Sequence, residues 1–259
     1  MKKLLVMAMA FMLVLSLNST FVFATDSKIN SVAELKKQIS ENMKDGSLSV
    51  NEKEYLKANT DESVVAQFAS EKLDKAVDIL NGKETTAMET KADGTLYSKE
   101  VYDLGDGCSL TVELSDMSEV PSSFVSPLAT SGSSEMWKEY GNRYFTAKAT
   151  VNFQAGSIEL SLENHYSLSA NGIDERYGNV SSNHTGSKIR IQNGNYNIND
   201  KTARTPGASD VNMDCTYTVN ITGDNDSKDY KLKTTVKYLA IDKTNKKIKV
   251  GHSWNLTKL

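Results

Sequence analysis

The chain has 259 residues, of which 39% are hydrophobic and 24% charged, and a formal net charge of −3. That charge density excludes a polytopic membrane protein, and three Pro and two Cys exclude collagen-like and disulfide-dense scaffolds. Eleven Tyr and seven Phe, mostly inside alternating stretches, exclude a wholly disordered chain and suit one large or two modest domains.

Residues 1–24 read as a secretory signal. Lys2 and Lys3 give a positive start, and Leu4 to Leu17 is apolar except for Ser16. Val22-Phe23-Ala24 offers the small residues a signal peptidase reads, so cleavage is expected after Ala24. The apolar run falls short of the ~18–20 residues that span a bilayer, so no stable membrane span is expected after signal removal. The expected product, residues 25–259, is secreted and extracellular, in keeping with Gram-positive export. Its net charge of −5 is unevenly spread, with −10 on residues 25–135 and +5 on residues 136–259. Opposite signs on two halves attract at short range, although two separately solvated surfaces would look the same.

The order of elements predicts an α+β chain with helices first. In the helical region 25–82, Ser31-Val32-Ala33-Glu34 spells a capping box, and Val32, Leu35, Ile39 and Met43 recur at helical spacing. A second short helix runs from Asn51 to Ala58. Asp61 opens a third, with Val65, Phe68, Leu73, Val77 and Leu80 on one face and Asn81-Gly82 closing it.

From Lys83 the period falls to two. Thr95–Asp103 and Cys108–Ser115 form a short β region, 83–115, turning at Gly105-Asp106-Gly107. Residues 116–135 contain Pro121, Pro127 and seven Ser, and read as an exposed linker. Residues 136–259 alternate strongly. Phe145 to Phe153, Ile158 to Leu168, Val211 to Ile221, Tyr230 to Ala240 and Ile248 to Leu256 are strands, and Ile189-Arg190-Ile191 is a shorter one broken at Asn193-Gly194. Half-buried strands joined by turns imply an antiparallel β-sandwich or jelly-roll-like domain.

Cys108 and Cys215 both sit in the apolar phase of their strands. In an exported chain they are expected to form a disulfide worth ~4–5 kcal/mol in the chain-entropy model, with two separate core thiols as the alternative. Two Cys without neighbouring His make no zinc set, and the pattern H-E-x-x-H, the nucleophile elbow and the P-loop are all missing. No cofactor or metal is expected, nor a nucleic-acid partner. Asp224-Asn225-Asp226 has a passing likeness to a calcium loop but reads as a hairpin turn.

Two stretches carry candidate chemistry. Strand phase puts Lys231, Lys233, Lys237, Lys247 and Lys249 on one exposed face of the last hairpin, with Lys243 and Lys246 near its tip. Such a face suits an anionic envelope polymer or lipid surface, or simply keeps the sheet from aggregating. Glu159, Glu163 and His165 alternate on one strand and form the alternative, catalytic reading. They resemble the two-glutamate strand of jelly-roll retaining glycosidases, with Ser161 where that family's pattern has Asp; an outward polar strand face would read alike.

As a whole, the export signal Met1–Ala24, the length and the basic β-rich half resemble the large unmodified secreted bacteriocins of the geobacillin type. The resemblance implies antimicrobial action at a competitor's envelope and assigns no catalytic residue. The function expected is therefore that of a secreted non-enzymatic protein engaging anionic cell-envelope surfaces. A small secreted glycan hydrolase using Glu159 and Glu163 is the alternative, and an extracellular structural or interaction protein is a third.

Overall fold

The computed structural model describes residues 28–43, 48–81, 87–91, 93–119, 135–222 and 227–259. The expected signal, the expected linker from 120 to 134 and the Asp224-Asn225-Asp226 turn lie outside the described residues. Three helices come first, α1 (Val32–Asn42), α2 (Val50–Asn59) and α3 (Glu62–Leu80). The capping box expected at Ser31 is half formed, since Ser31 Oγ accepts from the Glu34 amide at 3.2 Å. The reciprocal box closes at Ser49 instead, where the Glu52 amide donates to Ser49 Oγ (3.3 Å) and the Ser49 amide to the Glu52 carboxylate (2.6 Å). Helix α3 buries Phe68, Leu73, Val77 and Leu80 along the predicted stripe, each worth ~1.5–3 kcal/mol when fully buried.

Twelve strands follow: β1 (Glu89–Thr90), β2 (Leu96–Gly105), β3 (Cys108–Ser118), β4 (Glu135–Glu139), β5 (Gly141–Phe153) and β6 (Gly156–Ser169), then β7 (Gly172–His184), β8 (Ile189–Asp200), β9 (Thr202–Ala203), β10 (Ser209–Ile221), β11 (Ser227–Asp242) and β12 (Lys247–Lys258). They form two antiparallel sheets, one of seven strands in the order β1-β2-β3-β5-β6-β7-β9 and one of five in the order β4-β12-β11-β10-β8. Gly105, Asp106 and Gly107 all have φ between +53° and +70°, a left-handed run that Gly and Asp tolerate best.

Several boundaries differ from the sequence reading. Strand β3 runs on to Ser118, so the first three residues of the expected linker are strand, and Asp116 is fully buried. The Leu110-Val112-Leu114 phase simply continues onto Asp116, where local Ser and Pro enrichment hid it. Strand β3 pairs with β5 from Ser109↔Asn152 to Ser118↔Arg143, so the segments before and after the Ser/Pro-rich stretch share one sheet. Strand β8 passes through Asn193-Gly194 on a bulge and continues to Asp200. It is an edge strand whose central residues are exposed on both faces, so no alternation marked it.

The two sheets share one core, in which Phe145, Leu160 and Tyr166 of the seven-stranded sheet and Tyr217, Leu232 and Val250 of the five-stranded sheet are all buried. Tyr217 OH donates to the Ser161 carbonyl (2.6 Å), and the Asn164 amide donates to Thr234 Oγ1 (3.4 Å), both between sheets. Helix α3 touches strands of both sheets. The Lys72 ammonium donates to the Leu104 and Gly105 carbonyls (3.0 and 3.1 Å) and to Asp106 (2.7 Å) at the β2–β3 turn. Asp74 accepts from Tyr230 OH (2.6 Å), Lys228 (2.8 Å) and Lys258 (2.9 Å). Burial by itself would raise the Asp74 carboxyl, but these donors hold it below its ordinary value. An acid of the negative half thus meets two lysines of the positive half. No helix among the described residues is long and apolar enough to cross a membrane.

Candidate functional site

The last hairpin, β11–β12, carries the lysines singled out above. In an antiparallel pair, directly opposed residues share a face. Lys231 opposes Thr257, Lys233 opposes Asn255 and Lys237 opposes Gly251; past a bulge at Leu239, Ala240 opposes Lys249 and Asp242 opposes Lys247. The bulge restores the phase, and all five ammonium groups belong to the face turned away from the core. Lys237, Lys243 and Lys246 are exposed, and Lys231, Lys233, Lys247 and Lys249 are half-buried.

Acids occupy the same face. Asp214 opposes Lys233 and Asp210 opposes Lys237 across β10, while Glu139 opposes Lys247 and Glu135 opposes Gly251 across β4. With Asp242, Asp229 (opposite Thr218) and Asp200 (opposite Asn212), seven carboxylates accompany the five lysines. Most of them bind amides instead. Asp214 accepts from Asn197 (3.3 Å) and Asn199 (2.7 Å), and Asp242 from the Asn245 backbone (3.0 Å) and side chain (2.7 Å). Of the seven lysines from 231 to 249, Lys249 alone has an ion-pair partner within reach among the described residues, Glu135 at 2.8 Å. Acids are thus interspersed with the lysines across this face, and Lys243 and Lys246 at the tip add two exposed positive charges. Beside the tip lies a cleft of about 540 Å³ lined by Asn171, Arg204, Pro206, Tyr238, Ile241 and Lys243. Arg204 is committed within it, bound to Asp174 and to the Asn171 carbonyl (3.3 Å).

The catalytic alternative divides into two groups on the outward face of the seven-stranded sheet. Glu163 Oε1 lies 2.6 Å from His165 Nε2 and accepts from Asn179 (2.7 Å). His165 Nδ1 lies 3.0 Å from Glu119, which also accepts from Arg176 (2.7 Å). Hydrogen bonds from His165 and Arg176 hold the Glu119 carboxyl below its ordinary value. The imidazole is stacked between Tyr144 and Tyr177, with ring centroids at 5.4 and 4.1 Å. Glu159 instead sits with Lys148 (3.7 Å) and Thr150 (3.5 Å). Retaining glycosidases need their carboxyl groups ~5–5.5 Å apart, whereas residues four apart on a strand are ~13 Å apart. With separate partners holding each one, Glu159 and Glu163 do not converge on one bond.

The expected disulfide is not formed. Cys108 and Cys215 are free and buried. The Cys108 thiol lies at the β2–β3 turn, 3.5 Å from both the Asp106 carbonyl and Gln154 Oε1. Cys215 sits in the middle of β10, between Tyr196 of β8 and Leu232 of β11, with its thiol 3.3 Å from the Gly194 carbonyl. Strand phase placed both side chains in the core but could not say where along it. Burial pushes both thiols up to about 11, which leaves them protonated and unreactive at neutral pH. Two thiols should therefore react with a maleimide only after unfolding, and reductant should leave Tm unchanged. Recovery of a Cys108–Cys215 cross-linked peptide from the native protein would contradict the fold.

A buried charged cluster between the sheets escaped the sequence reading. Asp116 of β3 meets Arg143 Nε (3.0 Å), His252 Nε2 (3.0 Å), Tyr166 OH (3.1 Å) and, at 3.9 Å, Lys138 Nζ. Burial alone would raise the Asp116 carboxyl, but Arg143, His252 and Lys138 hold it far below its ordinary value. Burial pushes Lys138 down to about 8 against the pull of Asp116. The cluster joins β3, β5 and β6 of one sheet to β4 and β12 of the other. No family model matches the chain, and no curated protein or solved structure matches it either.

Proposed function

We propose that this protein is an exported, non-enzymatic β-sandwich that holds to anionic polymers or lipids of a cell envelope through the outward face and tip of the β11–β12 hairpin. The observation that carries the reading is the set of lysines 231, 233, 237, 247 and 249 on one face, of which Lys249 alone is ion-paired among the described residues. The accompanying acids cancel the long-range field, so attachment is by direct contact rather than by distant steering. Antimicrobial action at a competitor's envelope is one form this function takes.

The test is adsorption of residues 25–259 to isolated Gram-positive cell walls and to phosphatidylglycerol vesicles at increasing salt. Each lysine near an anionic surface contributes ~1 kcal/mol. Changing all five to Gln is therefore expected to weaken adsorption by more than about tenfold, and changing Lys243 and Lys246 as well by more again. Absence of adsorption at low ionic strength, or indifference to these substitutions, overturns the proposal.

A further inference from the structure

The two tryptophans differ sharply in setting. Trp254 is 5% exposed in the core, whereas Trp137 is 46% exposed on the edge strand β4. Trp137 opposes Lys249 and so belongs to the lysine-bearing face. Among the described residues neither a ring nor a cation stacks on its indole. Large aromatic rings left in water are uncommon away from binding surfaces.

Its surroundings are specific. Gly251 opposes Glu135, and Leu239 Cδ1 lies 3.3 Å from the place a Gly251 Cβ would take, so the bulge residue covers that gap on the same face. Trp137 and Leu239 thus give this face an apolar patch towards its β4 edge. Around it stand Glu135 and Glu139, two residues either side of Trp137 on β4, and Lys247 and Lys249 on β12. Glu135 and Lys249 are paired at 2.8 Å. The rim therefore offers both carboxylate and ammonium groups on residues one strand spacing or a two-residue step, ~5–7 Å along the backbone, from Trp137.

We infer that Trp137, with Leu239 beside it and the Glu135–Lys249 pair at its margin, is a stacking subsite for a pyranose ring of an envelope glycan. A pyranose has an apolar C–H face that suits an indole, and its hydroxyls both donate to carboxylates and accept from ammonium groups. A lipid phosphate only accepts, and it would meet the carboxylates of Glu135 and Glu139 on either side of the indole. The subsite lies on an edge strand, where a polymer can run past it. This inference rests on the envelope-binding reading and names the polymer class: a saccharide chain, with the lysines taking its anionic substituents.

The test follows the indole N–H resonances of residues 25–259 in titrations with N-acetylglucosamine hexasaccharide, solubilised peptidoglycan glycan strands and phosphatidylglycerol vesicles. Millimolar saccharide should shift the Trp137 signal and leave Trp254 unmoved, which also reports that the fold is intact. W137L should bind saccharide at least about tenfold more weakly. If neither glycan moves Trp137, the subsite does not exist. If vesicles move it and glycans do not, the ring is a lipid anchor instead. A saccharide response in a protein that fails to adsorb to anionic walls would sink the lysine reading and leave this one standing.

Discussion

Replacing Glu175 by Gln is expected to stabilise the protein at neutral pH and to flatten its stability between pH 5 and 8. Both Glu175 carboxylate oxygens are buried without a hydrogen-bond partner among the described residues, and burial raises the carboxyl to about 8 from its ordinary value near 4.5. The folded state therefore holds a proton that the unfolded chain releases from about pH 4.5 upwards. Stability from this group is complete below that pH and is lost as pH rises through 8. At 1.36 kcal/mol per pKa unit, the loss amounts to about 3 kcal/mol at pH 7. Gln keeps the shape and the buried polar cost but has no proton to lose. Wild type and E175Q should melt alike at pH 5, and the variant several degrees higher at pH 7 to 8. Parallel pH profiles for the two proteins would show that Glu175 does not titrate from inside.

Asp116→Asn should act in the opposite direction. The Asp116 carboxylate faces Arg143, His252 and Lys138, all nine-tenths buried or more. Removing its charge leaves cations in the core without a counter-charge, a change that costs ~3–5 kcal/mol at buried ion pairs. The expected result is a lower denaturant midpoint with an unchanged slope. The pH sign follows from the depressed carboxyl. Its contribution is present above the unfolded value near 4 and is lost as pH falls towards the folded value. Wild type should thus lose stability below pH 4 through this group, and D116N should lack that component. A variant as stable as wild type at pH 7 would show that the cluster does not join the sheets energetically.

Much of the fold was legible because its strands are half-buried. Val211, Met213, Cys215, Tyr217, Val219 and Ile221 alternate without a fault, and β10 spans Ser209–Ile221. The missed strands are those whose surroundings erase alternation. Strands β4 and β8, the latter read only in part, are sheet edges, and on its outer side β7 borders only the two-residue β9. The capping box at Ser49-Val50-Asn51-Glu52 was written in the sequence as plainly as the one at Ser31, yet only the former closes both ways.

The charged cluster left a trace, too. Asp116 shares its phase with Leu114, and Arg143 shares its own with Phe145, so each is a charge where the pattern asks for an apolar group. What no local pattern gives is the meeting of β3, β5 and β6 with β4 and β12 across the core. The same limit defeated the disulfide, since phase assigns depth and not position. The lysine face was readable because it depends on one hairpin, whereas most of the accompanying acids come from β4, β8 and β10.

The position of β12 has a consequence for how the chain is made. It lies between β4 and β11, and Lys258, the last residue of β12, reaches back 184 positions to Asp74. Until those closing residues leave the ribosome, β4 has no neighbour and one flank of β11 is bare. Contacts so distant along the polymer form late and slowly. Synthesis of β12 is therefore the step that joins two incomplete pieces into one five-stranded sheet.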